Sequence, residues 1–404
     1  SEGSLYQDAA KLFALLEPAT DGGLAPVTLV RGSWFLKRAE KVRHARTDEE
    51  RAKLRMPRRQ ELERDEPDAL LSPEEAAKMP RGHVGYPCWQ HNNCCCPEPD
   101  KNRPLKLISI SHGWLTPDHP DPYGEQLVKF ADVVARERSC FRDCNEVGWF
   151  LVLFPCCPGL WAPWCTCWGW PLAGQQCCHR AAAFPSGEFM AFYDFASLHQ
   201  KDPETGGRTG EEKTAFDSAL GTMGTWYAHD KATTVALDVF PAGWDSTTPY
   251  KDRGWTTFES AVSALVKESD NGTWARFVRA SEAKAQGDGG LSLLLNSLGC
   301  GLLGGLLGSG GSSVRPVPLH PEALAAKLAR KVFTNGKSDL EMVAGIYART
   351  LDGAFGGAEV LVFSCCGWGD EEGKALAKML PLARSARHLD LSFNIVSRTN
   401  KKPK

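Results

Sequence analysis

Two carboxylates lie in motifs suited to chemistry: Asp194, in Phe192-Tyr-Asp-Phe-Ala-Ser-Leu-His-Gln200, and Glu259, in Arg253-Gly-Trp-Thr-Thr-Phe-Glu259. A carboxylate held at a sheet rim can stabilise positive charge developing on a sugar carbon, and a second polar group can orient the substrate. We take Asp194 and Glu259 as the candidate catalytic pair. Ser111 and His112, in Ile110-Ser-His-Gly-Trp114, add a hydroxyl and an imidazole, and Gln200, Arg253, Trp114 and Trp255 complete the candidate ligand-binding set. Each of these residues also has a plainer role. Asp194 can cap the turn that follows it, and His112 can bond to backbone. Trp255 fits a core position, and Glu259, four residues later on the same helical face, can be a buried partner of Arg253. His229 and Asp230, closing the longest helical pattern, read as a solvated helix end.

A second cluster has metal-ligand types. Cys88, His91 and Cys94, with Cys95 and Cys96, stand at zinc-like spacing, and Cys177, Cys178 and His179 would supply the second pair that a structural site draws from a separate element. Free thiols are the competing reading, and no metal is assigned. The chain shows no Gly-rich phosphate loop, nucleophile elbow or metalloprotease helix.

The elements that must position these residues are strands alternating with amphipathic helices from Leu105 onward, the pattern of a parallel sheet wrapped by helices. Strands are expected at Leu105–Ser111, Val147–Phe154, Phe189–Phe195 and Thr233–Phe240. Helices are expected at Gln126–Arg136, Glu211–Ala228 and Trp255–Val266. Ligands in such sheets sit at the carboxyl ends of the strands, where Ser111, His112, Asp194 and the loop to Gln200 fall. Ahead of the sheet, Ser72-Pro-Glu-Glu75 has the residues of a capping box opening a short helix, and Lys37 to Glu66 reads as a solvated helix or linker.

At 404 residues, 42% of them hydrophobic, the chain can bury a substantial core. Forty-seven Lys and Arg against 49 Asp and Glu leave a formal charge of -2, so no global field gathers phosphate backbones, and nucleic acid is not expected as a partner. Four regions emerge: an N-terminal helical or irregular extension (1–104), an α/β domain (105–285) with a Cys- and Trp-rich insertion at 155–185, a Gly/Leu/Ser linker (286–314) and a C-terminal unit (315–404). The segment 291–308 approaches the roughly 20 apolar residues that span a bilayer, but five Gly, two Ser and Asn296 weaken it; any membrane contact would come from there or from 155–185. Fifteen Cys, mostly in clusters, read as reduced thiols of a cytoplasmic protein, or of an organellar one in a larger complex if a targeting segment has been removed.

In order and spacing, Ile110-Ser-His-Gly-Trp114, Phe192 to Gln200 and Arg253 to Glu259 resemble the three motifs of the HET family, a TIR-like group; the last is also similar to the Trp-x-x-x-Glu of many TIR domains. The resemblance spans about 105 to 270. With Trp114 to Pro122 it extends to large families of uncharacterised algal and dinoflagellate proteins. It implies a TIR/flavodoxin-like parallel sheet and a signalling or scaffold function through self-association or protein partners. The alternative it implies is cleavage of NAD as substrate, with loss of nicotinamide. The family positions filled by Tyr, Cys and Gln are here His112, Ser197 and Phe258, and the glutamate of NAD-cleaving TIR domains aligns with Leu198 or His199.

Val360 to Ser364, Gly373 to Leu380 and Leu389-Asp-Leu-Ser-Phe-Asn-Ile395 resemble strand, helix and strand of leucine-rich repeats of the ribonuclease-inhibitor type, whose Asn bonds backbone groups along the stack. Barely one and a half repeats are present, so this unit is expected to pack on the preceding domain or to be part of a longer repeat region that the sequence cuts short. A third reading, a peripheral subunit of a large assembly, follows from the apolar surface that 155–185 would expose.

Overall fold

In a computed structural model, the described residues are 4–20, 22–81, 105–138, 187–244, 248–269, 276–282, 314–334 and 336–395. The expected strand at 147–154, the insertion at 155–185, the Cys/His cluster at 88–96 with 177–179, and the linker as far as residue 313 lie outside them.

The architecture is mixed α/β around a six-stranded sheet of order β2-β1-β4-β3-β5-β6. The strands are β1 (Leu29–Arg31), β2 (Leu70–Leu71), β3 (Leu107–His112), β4 (Met190–Phe192), β5 (Thr233–Leu237) and β6 (Phe277–Arg279). β4, β3, β5 and β6 are mutually parallel, with Ile108 opposite Ala191 on one side and Thr233 on the other. β1 and β2 add antiparallel, so the first 104 residues contribute strands as well as helices.

All six residues of β3 are buried, which a strand with both faces covered requires. Its alternation sends Leu107, Ser109 and Ser111 to one face and Ile108, Ile110 and His112 to the other. On the first face lie α8 (Gly210–Ala228) and α9 (Gly254–Ser263), with Phe192 stacked on Trp226 at 5.3 Å and Phe258 buried beside them. On the second lie α2 (Gly32–His44) and α6 (125–138), bringing Phe35, Phe130 and Val134 against Ile108, Ile110 and Val235.

The remaining N-terminal helices are α1 (Ala9–Ala14), α3 (Asp48–Lys53), α4 (Arg59–Asp65) and α5 (Pro73–Lys78); α7 (Asp194–Ser197) is a single turn after β4. α5 has the expected capping box: Ser72 Oγ accepts from the Glu75 amide at 3.2 Å, and Glu75 accepts from the Ser72 amide at 3.0 Å. The charged stretch 37–66 is helical, but not wholly solvated, because Arg59 is buried with its guanidinium on the carbonyls of Ala25 and Pro26.

The C-terminal unit comprises α10 (Pro321–Leu328), α11 (Lys337–Leu351), β7 (Val360–Val362), α12 (Asp370–Met379) and β8 (His388–Asp390). Its Leu324, Tyr347, Phe355, Phe363, Trp368 and Leu376 share one apolar cluster with Leu107 and Trp226. α11 crosses α8 at Gly224, where an added Cβ would sit 2.0 Å from Thr350 Oγ1, so only glycine permits this approach. β7 and β8 pair in parallel as a separate two-stranded sheet. Asn394, 28 positions after Cys366, accepts from the Cys366 and Trp368 amides and donates to the carbonyls of Phe363 and Leu391. Cys365 and Phe393 hold matching left-handed turns, φ 54° and 58°. Among the described residues, no helix is long and apolar enough to cross a membrane.

Candidate functional site

β3 ends in consecutive polar residues, and the pleat splits them between two networks. On the α8/α9 face, Ser111 Oγ bonds to Glu259 Oε2 and lies 2.6 Å from the Tyr250 hydroxyl. The Tyr227 hydroxyl donates to the Ile110 carbonyl at 3.2 Å and is also hydrogen-bonded to Glu259. Glu259 is buried, and burial, with the nearby charge of Asp194, pushes its carboxyl up to about 8. It is therefore largely protonated at neutral pH. One arrangement of protons satisfies the whole chain: Tyr250 donates to Ser111, Ser111 to Glu259, protonated Glu259 to Tyr227, and Tyr227 to the Ile110 carbonyl.

On the other face, His112 stacks on Tyr193 with ring centroids 4.2 Å apart. Its Nε2 lies 3.5 Å from Asp194 Oδ1 but makes no hydrogen bond, and Nδ1 is 3.5 Å from the Ile110 carbonyl, at the limit for any bond. Burial lowers the imidazole pKa despite the opposing charge of Asp194, so the ring is neutral at pH 7. Asp194 is the first residue of the single-turn α7, and its carboxyl accepts from the amide of the next residue, Phe195, at 2.6 Å. Its side chain is 25% exposed and close enough for its charge to act on both His112 and Glu259.

The other candidates are engaged with backbone or core. Gln200 donates to the carbonyls of Asp194 and Leu198, pinning the loop after β4. Arg253 donates to the carbonyls of Thr248 and Trp114, so the expected pairing with Glu259 is corrected: the motif brings the arginine to the rim, while the helix turns the carboxyl inward to Ser111. Gly113 sits under this arginine, and a Cβ there would lie 2.9 Å from Arg253 Nε. Trp114 meets Phe195 edge-on at 5.6 Å. Trp255 packs on Phe258 and points Nε1 at Asp339 of α11, 3.4 Å away.

The reading of His229 and Asp230 as a solvated helix end is also corrected. His229 is fully buried and Asp230 nearly so, because the Asp230 amide bonds to the Tyr6 carbonyl and the N-terminal segment covers the end of α8. Trp114 to Pro122 forms a self-bonded loop. His119 takes the Asp121 amide on one ring nitrogen and reaches the Met56 carbonyl with the other, while Asp121 accepts from the Gln126 and Leu127 amides at the start of α6. Sequence reasoning missed Tyr250 and Tyr227 as partners of the Ser111–Glu259 pair. Tyr250, three residues before the Arg253 motif, carried a weak positional signal; Tyr227 lies inside the expected helix Glu211–Ala228, and nothing in that segment marks it as a polar partner.

Among the described residues, no group of three or more His, Cys, Asp or Glu side chains is placed to hold a metal. The rim thus joins one protonated, fully engaged carboxyl below the sheet edge and one partly exposed carboxylate at it. No protein-family model, curated protein or solved structure matches this chain.

Proposed function

We propose that the chain is a cytoplasmic signalling or scaffold protein, built on a TIR/flavodoxin-like sheet with a leucine-rich-repeat-like appendix, whose rim residues hold the fold rather than turn over a substrate. The observation that carries this reading is the closed network Tyr250–Ser111–Glu259–Tyr227, in which Glu259 is buried, already bonded and pushed by burial toward its protonated form. A carboxyl in that state offers no negative charge to a developing cation. The strand order β4-β3-β5-β6, with β3 central, supports the TIR/flavodoxin-like reading, and the bonds of Asn394 support the repeat-like one.

Asp194, partly exposed beside a neutral His112, favours a second reading, an NAD-cleaving enzyme that uses this single carboxylate. Incubating the purified chain with NAD and assaying nicotinamide separates the two. The expected result is no release above the chemical background. Release that disappears in Asp194→Ala, with the fold intact by circular dichroism, would overturn the scaffold reading.

A further inference from the structure

We propose that the C-terminal unit latches the rim shut: the strap Lys331–Phe333 grips the turn Tyr250–Asp252 and so holds Tyr250 over Ser111 and Glu259. The proposal concerns the control of the rim and rests on the reading of its closed network given above.

Tyr250 reaches Ser111 from a single helical turn, Tyr250–Asp252, that leads into α9. So short a turn closes few bonds of its own: the Asp252 amide donates to the Pro249 carbonyl and the Arg253 amide to that of Tyr250. Its outer side is held by the strap, which lies between α10 and α11. The Lys251 carbonyl accepts from Lys331 Nζ at 2.7 Å, the Asp252 carbonyl accepts from the Val332 amide at 2.9 Å, and the Gly254 amide donates to the Val332 carbonyl at 2.9 Å. Lys331 Nζ also lies 3.3 Å from the Asp252 carboxylate, and Arg253 and Val332 form a parallel bridge.

The side chains seat the same contact. Phe333 lies against Gly254, where an added Cβ would come 2.0 Å from its ring, so the glycine between Arg253 and Trp255 in the motif serves the strap. Val332 turns its side chain outward, 55% exposed, and takes part through its backbone alone. The strap is anchored on both sides: Leu324 and Leu328 of α10 and Val343, Ile346 and Tyr347 of α11 are buried in the apolar cluster. It therefore moves with the C-terminal unit, and the turn moves with it.

On its inner side the turn is tied by the Tyr250 hydroxyl to Ser111, with Ser260 Oγ 3.5 Å away, and by Thr256 Oγ1 to the Tyr250 carbonyl. When the strap leaves, the carbonyls of Lys251 and Asp252 and the Gly254 amide exchange their partners for water, so each bond secures the latch only by its modest net value. The latch is reversible for that reason. Release lets Tyr250 swing away from Ser111, water reaches Glu259, and its carboxyl opens to the rim beside Asp194.

Hydrogen exchange of the intact chain, read beside nitration of its tyrosines by tetranitromethane, tests the proposal. The Gly254 and Val332 amides should share one degree of protection, since one opening frees both. K331A and V332P should each raise Gly254 exchange and Tyr250 nitration together by about fivefold, the weight of one lost hydrogen bond. V332T, which keeps the amide, should match the wild type, and Tyr347 should stay unreactive throughout. Faster Gly254 exchange without faster Tyr250 nitration, no change in either, or Tyr347 reacting in step with Tyr250, which would be the whole unit opening, would each overturn the proposal. Nicotinamide release by the wild-type chain would remove the scaffold function and leave the latch standing; a failed latch without release would leave that function standing.

Discussion

Glu259 concentrates the chemistry of the rim in one proton. Its carboxyl has an ordinary value of 4.5 and is held at about 8 in the fold, first by burial and then by the charge of Asp194. Between those values the folded chain keeps a proton that the unfolded chain releases. The contribution is complete below about pH 4.5 and is lost as pH rises through 8, at up to about 1.4 kcal/mol per pH unit. Asp121 and Asp230, both raised to about 6 by burial, titrate in the same direction, so the wild-type curve alone does not isolate Glu259. Glu259→Gln does: it keeps the shape and a donor and removes the titration. Urea unfolding from pH 5 to 9 should show the variant gaining on the wild type as pH rises. Parallel curves would mean that Glu259 is already ionised in the fold.

At the scale of elements, the contact between α8 and α11 depends on an absent side chain. Gly224 lies inside a 19-residue helix, where alanine would ordinarily be favoured by roughly 1 kcal/mol. Here the new Cβ would fall 2.0 Å from Thr350 Oγ1 and 3.0 Å from Thr350 Cβ, and Thr350 is itself held by a bond to the Ile346 carbonyl. Helix and threonine have to part, a displacement that typically costs about 1 to 3 kcal/mol. Gly224→Ala should therefore destabilise the protein, despite its better helix propensity, by a net loss of up to about 2 kcal/mol in urea unfolding. Gly224→Ala with Thr350→Ala, which removes the crowding Oγ1, should recover part of the loss. A stabilised single variant would show that the helices do not meet at this distance.

Across the whole molecule, buried histidines oppose the carboxyls, and besides His112 three of them among the described residues lie outside the pair at the rim. Burial pushes His119 and His199 down to about 4 and His229 down to about 3. They sit in the loop after β3, the loop after β4 and the end of α8, so each seals a different junction. A depressed histidine contributes stability that is present above its ordinary value of 6.5 and is lost as pH falls through its folded value. Between about pH 4.5 and 6 this loss runs against the gain from Glu259, Asp121 and Asp230, so the two groups oppose each other in the wild-type curve. Replacing one histidine exposes its share: the stability lost in His229→Gln relative to wild type should shrink as pH is lowered from 7 to 4, measured by urea unfolding at each pH. A difference independent of pH would place a charged imidazole in the fold.

Residue order alone makes legible whatever depends on near neighbours. The 3.6-residue spacing of Phe258, Val262 and Leu265, the Ser72–Glu75 capping box and the continuous apolar character of β3 are local, and local physics writes them directly into residue order. The motifs around Ser111, Asp194 and Glu259 were visible for the same reason, as was the Asn394 turn. Tertiary structure alone decided the partners. Ser111 and Glu259 stand 148 positions apart, and Tyr250 joins them only because α9 and the turn before it fold over the end of β3. The split between Ser111 and His112, the turn of Arg253 toward carbonyls, the burial of His229 under the N-terminal segment and the place of β1 beside β4 follow from which surfaces meet. Periodicity states which face of an element is apolar; it carries no information about which other face will cover it, and the protonation of Glu259 depends on that cover.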